Sequence, residues 1–262
     1  MRSCAKPLQA SLLIDYGADK VYNLTSKEIA LICGSHAGED CHIETGLGIL
    51  EKIGLDENYL KCGVHEPLSR TMQDKMLIMG KKASAIHNNC SGKHIGFLAL
   101  CNLKHWDLET YYEPTHPLQI AVKNKIYELA GVNKPVSYPI TTDGCGVPIV
   151  SMPLKNMLIG FINLFTDPKY EKITNAFLEN PYIIGGENRL DTEIIQNTEN
   201  IVAKVGAGGK KDGFVIKMDD ASMPARRIAV FEMINRLGWG NIDYDSTIKT
   251  IAGKKVGDII VE

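Results

Sequence analysis

Eight consecutive positions, His87 to His94 ("HNNCSGKH"), hold two histidines, two asparagines, a cysteine, a serine and a lysine. An apolar helical pattern, "IGFLALC", follows at once. Ser91 and Gly92 sit where a helix should begin, and a helix start offers unpaired N–H groups and the positive end of a dipole. That environment favours a thiolate at Cys90. Cys90 and Lys93 are three residues apart, so both can face one side. A second stretch, "TTDGCGVP" (Thr141 to Pro148), places Asp143 and Cys145 in a glycine-rich turn. Two thiolates from separate loops could bind zinc, with a third ligand from Lys93, His94 or Asp143. Lysine ligates only after giving up its proton. No CxxC or HxxxH supports the metal, so two buried cysteines in a polar loop network is the competing reading. The His-x-Glu and Pro-Cys-x-x-Cys pattern is absent, which counts against a zinc-water nucleobase deaminase.

The second constellation is "RSCAK". Ser3 and Lys6 are one helical turn apart, a workable nucleophile and base if burial or a nearby positive charge keeps the amine neutral. Serine hydrolases of the β-lactamase type add a second serine and a lysine on a facing strand. Ser35 in "GSHAGE" and Lys217 in "GFVIKMDD" are candidates for these. Alone, Ser-x-x-Lys is common by chance, and a helix cap, a turn serine and solvated lysines would explain all four residues. In "GGENRLDT", Asp191 reads as a helix cap or Arg189 as an anion contact. Trp106 and Trp239 read as core anchors, and His42, His105 and His116 as surface or core-rim residues.

Helices must position these groups. "TSKEIALIC" opens with Thr25 and has Glu28 three residues on, a capping box, and stops at Gly34. "LSRTMQDKMLIM" carries a stripe of Leu68, Met72, Met76 and Met79 ending at Gly80. "PLQIAVKNKIYELAG" starts with proline and ends with glycine, and "PLKNMLIGFINLF" and "PARRIAVFEMINRLG" repeat the design. Strand signals come late, from Phe214 and in "KVGDIIVE". The expectation is one helix-rich α+β (or α/β) domain over 1–262, its sheet drawn largely from the C-terminal part.

Composition sets limits. The chain of 262 residues is 44% hydrophobic, enough for a sizeable core, and its net charge is −2 with both signs interspersed. No basic face suggests nucleic acid or an anionic membrane, and the apolar runs are far too short to span a bilayer. The seven cysteines are scattered without a disulfide framework, which reads as reduced thiols. The start, "MRSCAKPLQA", has no apolar signal core. A soluble cytoplasmic protein acting on something small is expected.

The set "RSCAKPLQA", "CGSHAGE", "CGVHEPLS", "HNNCSGKHIGFL", "TTDGCGVP", "GGENRLDT" and "GFVIKMDDAS" resembles the asparaginase II family of the Rhizobium etli type, in matching order along the whole chain. The resemblance implies a fold similar to serine β-lactamases and glutaminases, an antiparallel sheet flanked by helices, and hydrolysis of L-asparagine to aspartate and ammonia. By motif it implies catalytic Ser–Lys pairs at Ser3–Lys6 and Ser35–Lys217. It places a zinc site at Cys90, Lys93 and Cys145, with Arg2, His94 and Asp143 around the substrate and metal. It also implies a homodimer. Family chains carry a few tens of residues before Ser-x-x-Lys that supply the first strands. Here the motif begins at the third residue, so the expected sheet lacks its N-terminal strands. An inactive truncated homologue that keeps the metal site, a related amidase or glutaminase, and a zinc-water hydrolase are the alternatives.

Overall fold

The computed structural model describes residues 1–262 except 133–138, 206, 210–211 and 220–221; of 207–209 it describes the backbone. Among the described residues there are twelve α-helices: α1 (Lys6–Asp15), α2 (Ala18–Val21), α3 (Ser26–Cys33), α4 (Asp40–Lys52), α5 (Arg70–Ile78), α6 (Ser91–Lys104), α7 (Pro117–Leu129), α8 (Leu154–Thr166), α9 (Glu171–Glu179), α10 (Pro181–Ile184), α11 (Leu190–Gln196) and α12 (Met223–Arg236). None of the described helices is long and apolar enough to cross a membrane.

Helix α3 is the hub. It packs against α1, α4, α6, α9 and α10, and every residue from Glu28 to Cys33 is buried. Its start is the expected capping box: the Glu28 N–H donates to Thr25 Oγ1 at 3.3 Å, and the Thr25 N–H donates to Glu28 Oε2 at 2.7 Å. Lys52 of α4 pairs with the same carboxylate at 2.8 Å, so the acid placed at the helix N-terminus is neutralised as well as capped. Helix α6 is buried from Ser91 to Cys101. It lies against α3 because two glycines face that helix. A Cβ on Gly92 would meet the Leu31 carbonyl oxygen at 2.2 Å, and one on Gly96 would meet Ile32 Cγ2 at 2.6 Å. This close approach sets the start of α6 beside the end of α3.

The α+β expectation holds in its coarse form, but among the described residues the strands form three small antiparallel sheets rather than one. They are β1 (Thr141–Thr142) with β2 (Pro148–Ile149), β3 (Val202–Lys204) with β4 (Ala207–Gly209) and β5 (Gly213–Phe214), and β6 (Thr247–Lys249) with β7 (Lys255–Asp258). The run from Phe214 ends as a strand at once, and β4 is "AGG", which supplies almost no side chain to hold a longer ladder. The late placement of strands is as expected. Helix α3 packs on α9, which contacts β3, and β3 also contacts α11. Buried apolar residues from Cys4 to Ile242 make one cluster, with Trp106 and Trp239 packed at its margin.

The predicted stripe on α5 does not become a core face. Met76 is buried, but Leu77, Ile78 and Met79 are exposed at the helix end, which Gly80 closes with φ of 63°. His42 is buried rather than peripheral, and His105 and His116 serve as a left-handed helix end and an N-cap.

Two glycine-to-alanine changes separate the roles of glycine here. Gly92→Ala drives a Cβ into backbone of the hub and should cost about 3 kcal/mol, the upper range for overpacking. Gly48→Ala lies inside α4 with nothing within 4 Å of the added Cβ, and should stabilise by about 0.5–1 kcal/mol. Urea unfolding of both variants measures the difference.

Candidate active site

Residues Ser3–Ala5 form a 3-10 turn that runs straight into α1, with Lys6 its first residue and Pro7 in the first turn. The Lys6 side chain turns inward and is 1% exposed. Its Nζ donates to the Gly34 carbonyl at 2.7 Å, to Ser35 Oγ at 2.8 Å and to the Asn89 carbonyl at 2.8 Å. An ammonium has three N–H donors, so all are used. Gly34 is where α3 stops, and a cation at a helix C-terminus is favoured. Loss of hydration nevertheless dominates: burial lowers the Lys6 pKa to about 8. Negative charge at Cys90 opposes the fall, and Lys204 and Lys93 add to it.

Ser35 is 5% exposed, in the extended segment after α3, and its N–H donates to the Ile184 carbonyl at 2.8 Å. Gly34 is needed beside it, since a Cβ there would lie 2.8 Å from the same carbonyl oxygen. When Lys6 is neutral, the 2.8 Å contact can reverse, with the Ser35 hydroxyl donating to the amine. Ser3 is half-buried, and among the described residues its Oγ makes no hydrogen bond. Its neighbour Arg2 is tied to Asp143 Oδ1 through Nε at 3.0 Å.

The structure brings Cys90, Lys93, Asp143 and Cys145 together. Cys90 is the N-cap of α6, and its N–H donates to Asn88 Oδ1 at 2.8 Å. Asn88 in turn donates to the Cys62 and Gly63 carbonyls. Lys93 Nζ reaches Cys145 Sγ at 2.9 Å and lies 3.9 Å from Asp143 Oδ2. The ligand atoms of Cys90, Asp143 and Cys145 all fall within 4.8 Å of one another. Cys90, Lys93 and Cys145 are each buried. A hydrogen bond from Cys145 pulls the Cys90 thiol well below its ordinary range, helped by Lys6 and Lys93, and the donating Cys145 is pushed up. For Asp143, burial pushes upward, but Lys93, the Gly144 N–H and Arg2 outweigh it and hold the carboxyl low.

This donor set fits a soft divalent cation: two thiols, one easily ionised, a buried amine and a carboxylate at the edge. A second grouping, Glu39, Cys41 and His42, does not fit. His42 Nδ1 accepts the Glu39 N–H and Nε2 faces the Tyr182 carbonyl, so neither nitrogen is free.

Two sequence candidates lie elsewhere. His94 is fully buried, with Nδ1 2.6 Å from the Tyr111 hydroxyl. That hydroxyl also accepts the Lys61 N–H at 2.9 Å, and among the described residues His94 Nε2 has no partner. His94 thus braces Tyr111, next to the cluster in sequence but outside its bonds. Lys217 is exposed and pairs with Asp219 at 3.2 Å; the structure does not bring it to Ser35. The lysine facing Lys6 from the sheet side is Lys204, at the end of β3. It is 1% exposed, bonded to Asp191 Oδ2 at 2.7 Å, and its charge acts on Lys6, Cys4 and Cys33. Its signal was a lysine closing the apolar run "IVAK". Asp191, read as a cap, is its counter-ion. The Gly34 and Asn89 carbonyls carry no sequence signal, because they are backbone.

A comparison with protein families places the chain. No curated protein matches the chain. The family model described as L-asparaginase II matches residues 1–259, which takes in Ser3, Lys6, Ser35, Lys204 and the whole Cys90–Lys93–Cys145 cluster. The chain therefore belongs to the L-asparaginase II family.

Proposed function

We propose that the protein is an L-asparagine amidohydrolase that releases aspartate and ammonia through a serine nucleophile. Membership of the L-asparaginase II family implies an amidohydrolase acting on an amide substrate. The observation that carries the reading to a serine mechanism is the buried Lys6 amine, 2.8 Å from Ser35 Oγ and one turn after Ser3. Ser3 attacks the side-chain amide carbon of asparagine. Its proton passes to neutral Lys6 and is relayed through Ser35 to the departing ammonia. Backbone N–H groups near Ser3 stabilise the oxyanion, each such donor contributing roughly 3 kcal/mol. Water then hydrolyses the aspartyl ester by the same route in reverse. Lys204, held by Asp191, keeps positive charge near Lys6 and so favours its neutral form; Lys217 enters only through the family resemblance. Arg2 and Asp143, paired with each other, would meet the charged end of the amino acid. The overall fold behind this chemistry is the serine β-lactamase type.

Cys90, Lys93 and Cys145 would hold zinc, with Asp143 alongside. Bound there, the ion would supply fixed positive charge beside the substrate pocket. A homodimer in the cytoplasm, with no nucleic-acid or membrane partner, completes the proposal. A second reading, a homologue that keeps the metal site without turnover, is favoured by Ser3 Oγ having no hydrogen bond among the described residues while the cysteine cluster is formed. Ammonia release from asparagine, and from glutamine for the amidase and glutaminase alternative, discriminates between them.

Three outcomes are expected. Ser3→Ala, Ser35→Ala and Lys6→Met should each lower kcat for ammonia release by about a thousandfold or more, because residues acting as one relay fail together. Lys204→Met should cost far more than Lys217→Met. Near wild-type turnover in Ser3→Ala would instead assign the attack to water.

The base must be unprotonated, so its acid form limits the rate at low pH. With Lys6 lowered to about 8, kcat/KM should rise with pH and level off above about 8. A profile flat from pH 6 to 9 would remove Lys6 from the role of base.

Purified protein should contain about one zinc per chain, lost in Cys90→Ser or Cys145→Ser. Affinity should weaken as pH falls, since protons compete for the thiolates and the amine. Metal analysis and competition with a chelator read both.

A further inference from the structure

His65, in the loop between α4 and α5, belongs to none of the assigned sets, yet it is bonded into the catalytic lysine's surroundings. Its Nδ1 lies 2.6 Å from the Glu66 carbonyl, an oxygen that can only accept. Nδ1 therefore carries the proton. Its Nε2 accepts the Asn89 N–H at 3.0 Å, acting there through its lone pair, and also lies 3.3 Å from the Asn89 side-chain amide. Asn89 then uses its own carbonyl to accept from Lys6 Nζ at 2.8 Å. The chain of contacts runs Glu66, His65, Asn89, Lys6, Ser35.

Asn89 occupies a singular place in this chain. Of the three acceptors around Lys6, two come from adjacent residues, Gly34 and Ser35, on one segment. Only the Asn89 carbonyl pulls from the α6 side. Asn89 lies in the turn between Ile86 and Ser91, and its neighbour Asn88 is fixed by bonds to Cys62 and Gly63. The His65 bond is what fixes the Asn89 backbone N–H. Without it the Asn89 peptide can turn, and Lys6 is left on acceptors from one side, free to swing relative to Ser35.

We propose that His65 is a positioning residue for the Lys6–Ser35 pair, acting through the Asn89 backbone by accepting its N–H. This rests on the reading of Lys6 as the catalytic base. The requirement is for an acceptor at the Nε2 position, and a ring or a charge is not needed. Glutamine can present an amide oxygen at about that distance from the backbone, and leucine fills similar space with no acceptor.

The test compares His65→Gln and His65→Leu with the wild-type protein. In His65→Leu, kcat for ammonia release from asparagine should fall by about ten- to hundredfold, the scale of a misplacement near 1 Å, with KM changed less than about threefold. His65→Gln should return kcat to within about threefold of wild type. Independently of turnover, the Asn89 amide should exchange faster in His65→Leu and stay protected in His65→Gln. The 13Cε resonance of Lys6 should move in the leucine variant alone. Equal kcat in the two variants, or unchanged Asn89 protection and Lys6 resonance in His65→Leu, would overturn the proposal. A wild-type protein that releases no ammonia would defeat the catalytic reading, while exchange and resonance would still decide whether His65 holds Asn89 and Lys6 in place.

Discussion

A lysine amine stripped of water must be given oxygen atoms, and Lys6 can find three only where separate parts of the chain converge. One pair comes from the end of the hub helix, at Gly34 and Ser35, and the third from the turn before α6. That need ties the start of the chain to residues 28 and 83 positions away. The same burial that requires three partners also makes the amine easier to deprotonate. Stability and reactivity at this point thus pull in opposite directions, and hydrogen bonding to the ammonium sets where they balance.

The convergence depends on how closely α3 and α6 approach. Gly92 and Gly96 carry no Cβ where the helices touch, so Leu31 and Ile32 lie directly on the α6 backbone. Packing at this distance places the N-terminal turn of α6, with Cys90 and Lys93, level with Gly34 and Ser35. The thiols then lie near enough for the Lys6 charge to act on Cys90, and for Cys90 to act on Lys6. Helix packing and site electrostatics are here one arrangement. It is the reason a glycine in "CSGKHIG" belongs to the site although it has no functional group.

The helices were legible in the sequence because their ends were marked by local chemistry. Thr25 with Glu28, Pro117, and Gly80 each gave a boundary that the structure keeps. The sheets were less legible. Strands of two to four residues are too short for alternation to register, and their pairing depends on neighbours far along the chain. The spacing of Cys90 and Lys93 put both on one helix face, but their meeting with Cys145, 52 residues beyond Lys93, came only from the family resemblance. The motif names Lys217 and not Lys204, because only burial against Asp191 marks Lys204 out. The carbonyls that hold Lys6 belong to Gly34 and Asn89, and no side-chain pattern announces a backbone oxygen.

The separation of Lys93 from Cys145, 52 residues, also has a meaning in time. A chain leaves the ribosome at roughly 5–20 residues per second, so about 3–10 s pass between the emergence of one and of the other. Through that interval Cys90 and Lys93 are at the head of α6 with neither Cys145 nor Asp143 to meet them. Until Cys145 arrives, Cys90 lacks the hydrogen bond that does most to lower its pKa, so the thiol is uncovered but in its less reactive, protonated form. The turn at Asp143–Cys145 therefore completes the acidity of Cys90 and covers it in the same step when it docks.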